Sequence, residues 1–166
     1  MYSIEQLQAL DYLLKRITNE KPNALFGKNL KLVVEINNSF WYGDFIQLDG
    51  NLAFQLCIED DGDISRVSYS PYGNNSPTLL HKIWETYSKE TTNNHFFSNP
   101  FKKMDDLPLL FNSLCRLITL AEITAEDSKP FHPYLYNAKS IDRDLSLPFI
   151  NLADEKIKLI SIVEAD

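Results

Sequence analysis

Glycine is scarce in this chain of 166 residues: there are five, at positions 27, 43, 50, 62 and 73, and they are not clustered. A dinucleotide fingerprint and a phosphate-cradling P-loop both need grouped glycines ahead of a helix, so neither can be assembled. Cysteine is scarcer still. Cys57 and Cys115 each sit in an apolar stretch, which predicts two buried, reduced thiols rather than a disulfide framework and fits a reducing cytosol. The three histidines, His81, His95 and His132, are far apart. His81 and Glu85 are four apart in HKIWE, but the second histidine of a zincin helix is missing, so no metal and no cofactor is expected. There is no Gly-x-Ser-x-Gly elbow, and Cys115 has no activating base near it in the chain, so nucleophilic catalysis finds no support.

Long hydrophobic runs are also lacking. Nothing approaches the roughly 18 to 20 apolar residues of a membrane-spanning helix, and the opening MYSIEQLQALDYLLKR lacks the basic start, apolar run and cleavage site of a secretory signal. A cytoplasmic location is expected. Positive charge is the most unevenly missing property. The chain has 16 Lys plus Arg against 23 Asp plus Glu, a net charge of −7. From Leu32 to Ser65 there is no Lys or Arg, whereas Glu35, Asp44, Asp49, Glu59, Asp60, Asp61 and Asp63 all fall inside. Phosphates repel such a surface, which argues against nucleic acid and anionic membranes and favours a basic protein as partner.

What is present suits a packed fold. The composition is 44% hydrophobic and 12% aromatic, too apolar for a disordered chain, and the length is that of a single domain, residues 1 to 166. Ser3 and Gln6 have capping-box spacing, and Ile4, Leu7, Leu10, Leu14 and Ile17 follow at helical intervals, predicting an amphipathic helix over 4–19. From Leu30 the period becomes two: Leu30, Leu32, Val34 and Ile36 share a face, as do Leu52, Phe54, Leu56 and Ile58. FWYGDFIQL (40–48) reads as a strand between them, and the Asp49-Gly50 and Asp61-Gly62 turns lead on to ISRVSY (64–69). The reading is an antiparallel four-stranded meander over 30–69. Two further helices, near 77–89 behind Ser76-Pro77 and over 107–122 behind Asp106, should pack on the sheet, the latter as the most buried. Residues 128–150, with Pro130, Pro133 and Pro148 among aromatics, read as an ordered loop, and KIKLISIVE (156–164) as a C-terminal strand. The fold class expected is α+β.

The run EDDGD (59–63) has the look of a calcium loop, but with Gly62 at the sixth position the first and twelfth fall on Cys57 and Ser68, which cannot supply the carboxylates. It reads instead as an acidic turn. Asp142 and Asp144 in SIDRDLSLP read as solvated surface. Alternation in Phe40, Trp41 and Tyr42 puts Trp41 on one face and the other two on the opposite one, and aromatics beside carboxylates anchor protein interfaces. The expected partner-binding residues are Trp41, Tyr42, Asp44, Asp49, Glu59, Asp60, Asp61 and Asp63.

These features point to a binding module rather than an enzyme. Small acidic proteins that neutralise a basic toxin or nuclease, as bacterial immunity proteins do, are the most concrete case. An acidic secretion chaperone for an exported effector is the alternative within binding proteins. A small enzyme whose site joins sequence-distant residues, such as a carboxylate with His81 or His132, is the alternative outside them.

Overall fold

The computed structural model describes residues 2–19, 27–46, 55–58, 64–68, 106–128 and 132–165, together with Lys82, Glu85, Thr86 and Lys89. Helix α1 spans Ile4–Asn19. Its start is fixed by the expected capping box: the Ser3 N–H donates to Gln6 Oε1 (2.9 Å) and the Gln6 N–H donates to Ser3 Oγ (3.2 Å). Beyond that start the helix is more deeply buried than an amphipathic stripe allows. Every residue from Leu7 to Leu14 is buried, including Ala9, Tyr12, Leu13 and the polar Gln8 and Asp11, because other elements surround α1 rather than cover one side of it.

The second helix described in full, α2, spans Leu107–Ala121, with Asp106 as N-cap accepting from the Leu109 N–H and Pro108 in its first turn. It buries Leu110, Leu114, Leu117 and Ile118 and leaves Leu109 and Leu120 exposed. The expectation that this would be the most buried helix is thus corrected in favour of α1, whose mixed polar and apolar sequence conceals its central place. A short 3-10 turn, Ala125–Ser128, follows. Of the helix expected near 77–89, the described residues Lys82, Glu85, Thr86 and Lys89 are helical; the remainder lies outside the described residues.

Seven strands are described: β1 Leu30–Ile36, β2 Ser39–Asp44, β3 Gln55–Ile58, β4 Ile64–Ser68, β5 Tyr134–Ser140, β6 Ser146–Asn151 and β7 Ile157–Glu164. Five form a sheet in the order β6-β5-β2-β1-β7 with every neighbouring pair antiparallel, while β3 and β4 pair as a separate antiparallel two-stranded sheet. The class is mixed α+β, but the meander over 30–69 is corrected: β2 pairs with β5 where β3 was expected.

Two local features bound β2. Asn37 and Asn38, both at positive φ (50° and 63°), make the tight β1–β2 turn, a geometry asparagine tolerates better than most residues. At the far end of β2 the Asp11 carboxylate accepts the N–H groups of Phe45 (2.8 Å) and Ile46 (3.1 Å). Those donors are lost to any continuing ladder, so the strand stops at Asp44. The loop expected over 128–150 is corrected too, since it holds the β5–β6 hairpin. Pro133 precedes β5 and Pro148 sits in edge strand β6, where a missing donor is tolerated. The C-terminal strand is present as expected.

Leu30, Leu32, Val34 and Ile36 join Leu135, Ala138 and Ile162 under α1 and α2 in one core. At the β2–β5 seam the register shifts between Tyr42 and Asp44, opposite Asn137 at φ 51°. Gly43 is required there: a Cβ would lie 2.5 Å from the Tyr136 carbonyl oxygen. Backbone cannot yield as a side-chain tip can, so Gly43→Ala is expected to cost about 1–3 kcal/mol in a denaturant melt. A cost below the error of the melt would show that the seam is loose.

Candidate functional site

Alternation on β2 settles which of its aromatics face outward. Trp41 pairs with Val34, is 8% exposed and belongs to the core. Phe40, at 37% exposure, and the half-buried Tyr42 look away from the helices. Across that outer face, cross-strand neighbours run Ser146, Lys139, Tyr42, Val33 and Ser161 from β6 to β7, and Glu35 lies between Phe40 and Lys158. The stretch without basic residues is therefore flanked in space by two lysines brought from distant strands.

An aromatic group on β5 and β6 extends this face. Tyr134 lies against Phe149 (centroids 5.2 Å, 32°), edge-on to Tyr136 (5.8 Å, 72°) and stacked with His132 (5.8 Å, 21°). Phe149 is 53% exposed. Reading 128–150 as a loop hid these residues, although the alternation of Tyr134 and Tyr136 about Leu135 is itself a strand signal. Asp142 and Asp144 are exposed as expected, but Asp142 and its neighbour Arg143 also fasten the β5–β6 turn to β2. Asp142 Oδ1 accepts the Phe40 N–H (3.1 Å) and Arg143 Nη2 donates to Ser39 Oγ (2.9 Å).

Asp44 is held by cations. Lys15 Nζ approaches its Oδ1 at 3.0 Å and Lys31 pairs with the same oxygen, while Lys15 also meets Asp11 Oδ2 at 2.6 Å. Burial alone would push the Asp44 carboxyl up, but Lys15 and Lys31 together outweigh it and hold the group below the ordinary carboxylate range. Burial would likewise push the Lys15 ammonium down, and the carboxylates of Asp11 and Asp44 instead hold it above its ordinary value. The four groups tie α1 to the sheet. Asp49, Glu59, Asp60, Asp61 and Asp63 lie outside the described residues; the last four belong to the segment joining β3 to β4.

No protein-family model, no curated protein and no solved structure matches this chain. The functional reading therefore rests on the residues themselves. Among the described residues no group of three His, Cys, Asp or Glu side chains could hold a metal ion, and no helix is long and apolar enough to cross a membrane.

Cys115 is free and half-buried on α2, and the side chain of Cys57 lies outside the described residues. The Tyr2 hydroxyl hydrogen-bonds the Cys115 thiol, and this contact, with burial, pushes the phenol up to about 12. Burial pushes the Cys115 thiol up as well, against the opposing effect of Tyr2. Only the thiolate is nucleophilic. In a Cys57→Ser background, Cys115 should accordingly react with iodoacetamide at mildly alkaline pH several-fold more slowly than reduced glutathione. Equal rates would show the thiol to be unperturbed.

Proposed function

We propose that this chain is a protein-binding module for a basic protein partner, most concretely an immunity protein that neutralises a bacterial toxin or nuclease effector. The observation that carries the reading is the stretch from Leu32 to Ser65, with seven acids and no Lys or Arg in a chain of net charge −7. An acidic surface draws a basic partner into encounter and penalises wrong ones. Asp44 is already paired with Lys15 and Lys31, so steering falls to Asp49, Glu59, Asp60, Asp61 and Asp63. Trp41 is in the core, so the anchoring aromatic of this surface is Tyr42, with the exposed Phe40 beside it.

The test starts from the partner recovered with the chain from its source cell. Neutralising Glu59→Gln, Asp60→Asn, Asp61→Asn and Asp63→Asn together is expected to slow association about tenfold at low ionic strength, with little effect on dissociation. Tyr42→Ala is expected to cost about 2 kcal/mol of binding, mainly as faster dissociation. An unchanged association rate with unchanged salt dependence in the fourfold variant would remove the acidic segment from the binding surface.

A further inference from the structure

Among the described residues the five-stranded sheet ends in β6 on one side and β7 on the other, and the two edges are built differently. A free edge offers main-chain donors and acceptors to any extended chain, and proteins block unwanted pairing with proline or charge. β6 contains Pro148 in its middle, with no N–H to offer an incoming strand. β7, IKLISIVE, has no proline, and Lys158, Ile160, Ser161 and Glu164 are exposed along it.

The hydrogen-bond parity of β7 identifies its outward groups. The Ala165 N–H donates to the Asn29 carbonyl at 2.7 Å, in the same register that pairs Val163 with Lys31 and Ser161 with Val33. In an antiparallel ladder successive residues alternate direction, so the main-chain groups of Ile162 and Glu164 point away from β1. The Ser161 hydroxyl donates to the Ile162 carbonyl at 3.3 Å, a long contact that leaves one of that oxygen's lone pairs free.

Beside this edge lies a cleft of about 250 Å³, bounded by Leu107, Pro108, Phe111 and Asn112 of α2 and by residues 160–162 of β7. Its walls are mostly apolar, and they include Ile162, the residue whose main-chain groups point away from β1. Free main-chain groups combined with a side-chain pocket are the two elements of recognition by strand addition.

We propose that the free edge of β7 receives an extended segment of the basic protein partner, pairing with the main chain of Ile162 and Glu164 and seating one apolar side chain in the cleft under the first turn of α2. The occupant is a partner segment rather than a second copy because each copy carries a charge of −7, which opposes self-association and favours a basic chain. The choice of a basic segment rests on the function proposed above; the site itself does not.

A displayed library of random linear peptides, selected on the intact chain, tests the site. Enriched peptides should share an apolar residue flanked by Lys or Arg and should protect the Ile162 and Glu164 amides from hydrogen exchange. They should bind at least about tenfold more weakly to Glu164→Pro, which removes an outward donor, and to Asn112→Trp, which fills the cleft, yet normally to Glu164→Gln. No enrichment, protection elsewhere, or unchanged binding to both folded variants would overturn the proposal. Self-association of the parent that disappears in Glu164→Pro would also overturn it, by naming a second copy as occupant. The two readings fail separately. Full-affinity binding of the basic partner by both variants sinks the edge site alone, whereas peptide binding at β7 without salt-dependent partner association sinks the acidic-surface reading alone.

Discussion

Replacing Asp11 with alanine is expected to lower the unfolding free energy by about 3–5 kcal/mol, the range for removing one partner of a buried, hydrogen-bonded ion pair. Asp11 is fully buried and accepts from the Phe45 and Ile46 N–H groups and from Lys15 Nζ. Without it two main-chain donors lose their acceptor and the Lys15 ammonium keeps only Asp44. Asp11→Asn retains an acceptor and should lose less. The same network sets a pH dependence. The Asp44 carboxyl is lowered on folding, so its contribution is complete above its ordinary value of 3.8 and disappears as pH falls through the lower folded value. The Lys15 ammonium is raised, so its contribution is complete below 10.5 and disappears as pH rises through the higher folded value. Melting temperature against pH should therefore decline at both extremes, and Asp44→Asn should flatten the acid limb. An unaltered acid limb in that variant would show Asp44 to be unimportant for stability.

A comparison of two leucines tests the central position of α1. Leu14 is completely buried and Leu120, on α2, is 47% exposed. Leu14→Ala should cost about 2–5 kcal/mol, since the surrounding elements cannot collapse into the space. Leu120→Ala should stay within roughly 0.5 kcal/mol, as expected of an exposed position. Denaturant midpoints with unchanged slopes would measure both. Similar losses at the two positions would mean that α1 is not enclosed.

These two helices also show how far local pattern reaches. The capping box at Ser3 and Gln6, the alternation from Leu30 to Ile36 and the β-branched run after Ile157 each report one element's own geometry, and each was legible in the chain. The enclosure of α1 was not, because it depends on what lies behind the helix. Asp11 carries no local sign of its role in the sequence. Its role emerges only where β2 ends and two N–H groups need an acceptor. The partnership of β2 with β5 was hidden for a related reason: turn dipeptides argue for consecutive pairing, and nothing local announces a strand arriving from residues 134–140. Of the expected binding residues, alternation separated Trp41 from Tyr42, but it could not say which face was core. The lysines flanking the acidic strands, Lys139 and Lys158, come from sequence far beyond the gap that defined the segment.

The order of strands has a consequence for the chain as it is made. β1 and β2 sit in the middle of the five-stranded sheet, yet their outer partners, β7 and β5, lie far behind them in the chain. A ribosome that has released α1 and the first hairpin has exposed a two-stranded ribbon with both edges open and half a core, a unit too small to be stable in water. The sheet can close only after residues 157–164 emerge, so folding of this region is limited by long-range closure rather than by local structure. Meanwhile the nascent hairpin is open to pairing with other chains. A cell that makes this protein quickly would need chaperone cover for β1 and β2 until β7 arrives.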